Sequence, residues 1–198
     1  MEQADGKLLH GNEQRYIVTS KTRSQPSAAA VESPVLRKFT PARHDHQRCV
    51  KTALAKAEEA CATSGKRLTP LRRRVLELVW SSHLPVKAYD LLARLGSGRE
   101  QAAPPTVYRA LDFLQDAGLV HRIASLNAFV GCGEPRSHHV GQFLICTRCG
   151  AVAEMADADV SARIEQRAEQ MGFRVARETI EVEGTCRDCR RKPEGSPE

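Results

Sequence analysis

Two Cys-x-x-Cys pairs stand in the C-terminal third of the chain, Cys146-Thr147-Arg148-Cys149 and Cys186-Arg187-Asp188-Cys189. Four thiolates in two knuckles are the ligand set of a tetrahedral Zn²⁺ ion. Each knuckle turns two sulfurs toward one metal, and the 36 residues between Cys149 and Cys186 hold a small domain. A closed four-sulfur shell has no open position for chemistry, so the expected role is structural. The alternative is two pairs of buried or redox-active thiols.

A chain of 198 residues has room for one domain or two small ones. No apolar run approaches the ~20 residues of a membrane span, and no signal-peptide core follows Met1. The expectation is a cytoplasmic protein without a membrane partner. Seven cysteines without an export signal favour metal or free thiols over a disulfide framework. The net charge of +6 is unevenly spread. Residues 1–46 carry 7 basic against 5 acidic side chains, residues 47–134 carry 13 against 8, and residues 135–198 carry 10 against 11. The middle segment is therefore where a polyanion would bind.

Residues 1–46 lack sustained periodicity and read as a flexible N-terminal extension, with Tyr16, Ile17, Val18, Val35, Leu36 and Phe39 able to dock on the body. Helical stripes follow. Val50, Leu54, Ala57 and Cys61 form the first. Thr69-Pro70 opens the second, with a hydroxyl at the N-cap and proline at the first helical position. The third spans about Lys87–Leu95, and the fourth opens at Pro104-Pro105-Thr106 and closes at Gly118. Two strand-like runs, Leu119–Ala124 and Ala128–Cys132, make a hairpin. Helices followed by a hairpin on a cationic segment predict a winged helix-turn-helix over residues 47–134. Residues 135–190 predict a small α+β zinc-binding unit. It has strands Gln142–Cys146 and Ala151–Glu154, a helix carrying Val160, Ile164, Ala168 and Met171, and a long strand Phe173–Glu183. Residues 191–198 read as a loose tail.

Arg109, placed in the first turn of the fourth helix, is the strongest candidate for reading DNA, because arginine donates bidentately to guanine O6 and N7. Thr106 and Tyr108 beside it suit phosphate contacts, and Tyr89 suits phosphate or base. Arg72, Arg73 and Arg74 add a basic cluster. A second set of metal donors consists of His121, Cys132, the adjacent pair His138 and His139, and Glu154. Two imidazoles, a thiolate and a carboxylate make a tetrahedral Zn²⁺ shell, and the thiolate favours zinc over iron or manganese. Cys49 and Cys61 read as ordinary buried thiols. His44-x-His46 reads as a poor metal site, and His83 as a loop residue.

Arg67-Leu68-Thr69-Pro70, Pro105-Thr106-Val107-Tyr108-Arg109-Ala110-Leu111 and the two knuckles together resemble the ferric uptake regulator family of metal-sensing repressors. Pro104–Val120 continuing to His121, with Cys132, resembles its zinc uptake regulator branch. The likeness covers about Cys49 to Arg190. It implies a homodimer whose winged helices bind an AT-rich palindromic operator, with Zn²⁺ as co-repressor of zinc-uptake genes and two ions per subunit. It assigns Cys146, Cys149, Cys186 and Cys189 to a structural site. It assigns His121, Cys132, His139 and Glu154 to a regulatory site, and Tyr89 and Arg109 to base contact. The segment from Cys132 to His139 is short for the family, so His138 is an alternative to His139. The extension before residue 47 has no family counterpart. An iron or peroxide sensor, a redox switch and a zinc hydrolase are the rival readings. Neither catalysis nor a small-molecule substrate is expected.

Overall fold

The computed structural model describes residues 35–39, 45–96, 103–137 and 139–192. Residues 1–34 and 40–44 of the extension, His138 and the tail from 193 lie outside the described residues. The predicted stripes of the first four helices bury the expected faces. Helix α1 (His46–Thr63) is capped by Asp45, whose side chain accepts from the Arg48 amide, and it buries Leu54, Ala57 and Cys61. Helix α2 (Pro70–Val79) starts at Thr69, whose hydroxyl accepts from the Arg72 amide. Helices α3 (Ala88–Gly96) and α4 (Pro104–Asp116) follow. Gly118, at φ +68°, turns the chain out of α4 into a hairpin of β2 (Val120–Ile123) and β3 (Ala128–Gly131). Leu54, Val75, Leu91, Leu111 and Trp80 form one core under that hairpin. Val86 and Phe129 exchange backbone hydrogen bonds of 2.9 and 2.8 Å, which ties the α2–α3 loop to β3.

The C-terminal half is a four-stranded sheet in the order β1-β5-β4-β6. Strand β4 (Gly141–Cys146) runs antiparallel to β5 (Val152–Met155) and parallel to β6 (Thr179–Gly184), and helix α5 (Ala158–Gln170) makes the crossover. Helix α6 (Arg187–Arg191) closes the second knuckle. The hairpin and the sheet share a small core of Ile123, Val130, Phe143, Ile145 and Val152. The Glu181 carboxylate accepts from the amides of Ala124 (2.6 Å) and Ser125 (3.0 Å) at the hairpin tip.

Two expectations need correction. The long strand Phe173–Glu183 shortens to β6, because its only ladder partner among the described residues is β4, paired from Gly141↔Thr179 to Cys146↔Gly184. A strand persists only while a neighbour supplies hydrogen bonds. The flexible extension is not uniform either. Val35–Arg37 forms β1 on the free edge of β5, where unpaired backbone groups offer a template for another strand. Helix α5 buries no residue, so its stripe of Val160 and Ile164 faces outward, with Met171 84% and Phe173 65% exposed.

Candidate metal centres and nucleic-acid interface

The parallel β4–β6 register builds the four-cysteine cluster. Cys146 ends β4 opposite Gly184, so the second knuckle begins two residues beyond β6, beside the first. Gly150, at φ +70°, folds the first knuckle back, and its amide donates to the Cys146 carbonyl at 2.8 Å. Sγ of Cys149 and Sγ of Cys186 are 3.9 Å apart. Tetrahedral Zn–S bonds of ~2.3 Å require sulfur separations of about 3.8 Å, whereas a disulfide requires ~2.0 Å. All seven cysteines are free thiols. Burial works to raise the Cys146 thiol, but the amides of Cys186, Cys149 and Arg148 outweigh it and hold Cys146 at about 6. The donor set and its spacing fit a zinc ion.

A second cluster lies where the hairpin meets the sheet. The donor atoms of His121, Cys132, His139 and Glu154 all fall within 4.8 Å of one another. His121 sits on β2, Cys132 follows β3, His139 precedes β4 and Glu154 lies on β5. Nε2 of His121 and Nε2 of His139 are each 2.9 Å from the same Glu154 Oε1. Sγ of Cys132 is 3.6 Å from the His139 Nε2. A tetrahedral ion with bonds of ~2.0 Å to N and O would space those atoms by about 3.3 Å. Glu154 Oε2 is already taken by the Gly133 amide at 2.8 Å, which leaves Oε1 for the common centre.

Hydrogen bonding fixes which nitrogen faces that centre. Nδ1 of His139 is 2.9 Å from the Ser137 carbonyl, which can only accept, so Nδ1 donates and the neutral ring has its lone pair on Nε2. That lone pair points at a carboxylate oxygen, an arrangement that needs a proton or a metal cation between them. Nε2 of His121 is buried without an aligned hydrogen bond despite its 2.9 Å approach to Glu154. Burial works to raise the Glu154 carboxyl, but the close approach of the His121 and His139 imidazoles, in that order, holds it far below the usual carboxylate range. Burial, then the Glu154 charge, push the Cys132 thiol well up. A cation at the centre would relieve these unmet demands together, so the residues fit a metal ion. His138, the alternative ligand, lies outside the described residues.

Thr106, Tyr108 and Arg109 lie on the exposed face of α4, opposite the buried Val107, Ala110, Leu111 and Leu114. Because α4 begins at Pro104, Arg109 falls in its second turn and not its first. Tyr89, at the start of α3, is 78% exposed. The Arg72–Arg74 cluster is engaged internally. Arg72 lies 3.4 Å over the Phe113 ring, Arg73 pairs with Glu58, and Arg74 pairs with Glu77 at 2.6 Å.

Two features escaped the sequence reading. His46 opens α1 with its Nδ1 3.2 Å from Nε2 of His83. Arg37 of β1 is buried across from Glu154. Neither is marked by a motif.

Residues 63–183 match the model of the ferric uptake regulator family. The zinc uptake regulation protein of Escherichia coli strain K12 is 43% identical over 139 residues, covering 69% of this chain and 80% of that relative. The crystal structure of holo XcZur is 46% identical with a TM-score of 0.66, covering 70% of this chain and 97% of that one. A zinc uptake regulator complexed with zinc and DNA is 40% identical with the same TM-score, covering 74% and 96%. The chain belongs to the ferric uptake regulator family, and zinc uptake regulators are among the members it resembles at 40% identity or more.

Proposed function

We infer that this protein is a zinc-responsive transcriptional repressor that grips operator DNA as a homodimer and releases it when zinc is scarce. The observation that carries the reading is the second cluster, whose donors come from both sides of the junction between hairpin and sheet. Helices α1–α4 with the β2–β3 hairpin serve as a winged helix-turn-helix over residues 47–134, with α4 entering the major groove. Residues 135–190 serve as the dimerisation unit. The outward stripe on α5 and the open edge of β6 supply apolar surface and unpaired backbone for a second copy. No helix among the described residues is long and apolar enough to cross a membrane. The setting proposed is cytoplasmic.

Each subunit would hold two zinc ions. Cys146, Cys149, Cys186 and Cys189 hold the structural one, and His121, Cys132, His139 and Glu154 the regulatory one. At the regulatory site zinc supplies a double positive charge that all four donors share. His121 and Cys132 belong to the reading unit, His139 and Glu154 to the pairing unit. When the four donors share one centre, the two units are held at a fixed angle, and two α4 helices can address half-sites one DNA turn (~34 Å) apart. Moving such an equilibrium from 1:99 to 99:1 takes about 5.5 kcal/mol of differential binding. Four ligands fill a tetrahedral shell, so no position remains for a hydrolytic water, and a hydrolase is disfavoured. The thiolate of Cys132 likewise disfavours an iron or peroxide sensor.

The test is site selection from a random duplex pool. Zinc-loaded protein should enrich an AT-rich palindrome, and chelated protein should enrich nothing. Enrichment independent of zinc, or with iron but not zinc, would overturn the reading. Arg109→Ala should weaken binding to the selected site by about 1–3 kcal/mol per half-site and flatten the preference at one position. An equal loss on all duplexes would make Arg109 a phosphate contact.

A further inference from the structure

The segment Val35–Phe39 precedes the family-matched residues 63–183, yet it touches both cysteine-containing centres. Phe39 packs on the four-cysteine cluster. The Leu36 carbonyl oxygen presses on Gly133, the residue after Cys132, where an added Cβ would lie 2.3 Å from that oxygen. The ladder between β1 and β5 is irregular. Val35 opposes Met155 and Arg37 opposes Glu154, so two steps along β1 match one along β5. An unbroken ladder would set Leu36 opposite Glu154. The bulge re-aims the strand so that a cation faces the metal-binding carboxylate instead.

Arg37 is only 8% exposed and Glu154 only 1%. Nη2 of Arg37 donates to the Val152 carbonyl at 3.2 Å, while its Nε has no hydrogen-bond partner among the described residues. The charges acting on the guanidinium are Glu154 first and Cys132 second. A buried guanidinium with an unmet donor is a costly way to stabilise a sheet edge, so fold stability is a weak explanation for it.

We propose that Arg37 sets the zinc affinity of the His121–Cys132–His139–Glu154 centre by serving as the resident counter-cation of Glu154. This rests on the reading of that centre as the sensing site. With the centre empty, Arg37 and Glu154 balance one another. With a divalent cation held by the Glu154 carboxylate and the Cys132 thiolate, the shell is already neutral, and Arg37 leaves an excess positive charge. With neutral imidazoles in the empty centre, loading adds positive charge near Arg37 whether or not Cys132 is ionised beforehand, and Arg37 therefore favours the empty centre. Across a strand pair, at ~5–6 Å and an effective dielectric of ~20, one unit of charge shifts binding by roughly 100-fold. The result is a higher zinc threshold, written into a segment ahead of the family-matched body.

The test uses the full chain with its structural centre filled. It is titrated with Zn²⁺ against a chromophoric chelator, and with Co²⁺ to read the thiolate-to-metal band of Cys132. Wild type should take one ion beyond the structural one. Arg37→Gln should bind that ion about 10- to 100-fold more tightly with unchanged structural zinc. Arg37→Lys, which keeps the charge, should stay close to wild type. Arg37→Met, which leaves no unmet donor, serves the same purpose where Gln misfolds. Affinity in the neutral variants equal to or weaker than wild type would overturn the role of Arg37 while leaving the sensing site standing. A wild-type chain that takes no second ion would overturn the sensing reading itself.

Discussion

Cys149→Ser should empty the four-sulfur centre and unfold the half of the chain built on β4, β5, α5 and β6. The argument is one of magnitude. Structural zinc in small peptides contributes about 10–16 kcal/mol of apparent binding free energy, while whole domains are stable by only ~5–15 kcal/mol. The apolar core of this half is small. Phe143, Ile145 and Val152 share their cluster with Ile123 and Val130 of the hairpin, and α5 buries nothing within the subunit. Little remains to hold the two knuckles together once a ligand is lost. The helical half has its own core around Leu54, Val75, Leu91 and Leu111 and should persist. Metal analysis should show one zinc fewer per chain. Far-UV circular dichroism should keep most of its helical signal, and sedimentation should show monomer. A mutant with wild-type melting and a full zinc complement would show that the four sulfurs are not a structural site.

That half of the molecule was also where the sequence was easiest and hardest to read. Cys-x-x-Cys spacing reports a ligand geometry directly, because a knuckle is local and its two sulfurs need only one turn. The helices were legible for a similar reason. Leu54, Ala57 and Cys61 repeat at the helical period, and Thr69-Pro70 carries its own start signal. Strand β1 has no such signature. Three residues cannot display a period, and their conformation is decided by the open edge of β5, 117 to 120 positions away. The same dependence trimmed β6 to the length of its partner. The arginines at 72–74 looked available for DNA because charge runs usually face solvent, yet Phe113, Glu58 and Glu77 engage them. The second cluster of candidate donors was half legible. Donor identities could be read from the chain, but their convergence depends on the hairpin docking on the sheet through Ile123, Val130 and Phe143. The link between Arg37 and Glu154 was illegible, since a bulge sets it and no residue in Val35-Leu36-Arg37 announces one.

Cys132→Ser should leave a folded dimer with its structural zinc intact and erase the zinc dependence of DNA binding. The substitution is nearly isosteric. The backbone contact of residue 132, its amide donating to the Leu119 carbonyl at 3.0 Å, does not involve the side chain. Burying a hydroxyl in place of a thiol costs about 1–3 kcal/mol, which a packed domain tolerates. The metal shell tolerates it far less, because the only soft donor is gone and a neutral hydroxyl does not replace a thiolate. Without that ligand the hairpin side contributes His121 alone, and the differential binding of ~5.5 kcal/mol that would close the junction is no longer available. Operator affinity at saturating zinc should fall on the order of 10²- to 10⁴-fold, toward the value of chelated wild type. Glu154→Gln removes a ligand from the sheet side and should give the same loss, which separates failure of the shared centre from damage to either unit alone. Fluorescence anisotropy on the selected duplex, run across zinc concentrations for wild type and both variants, reads the effect. If either variant keeps a wild-type zinc response, the residue it replaces is not a sensing ligand, and the donors that converge between hairpin and sheet have another purpose.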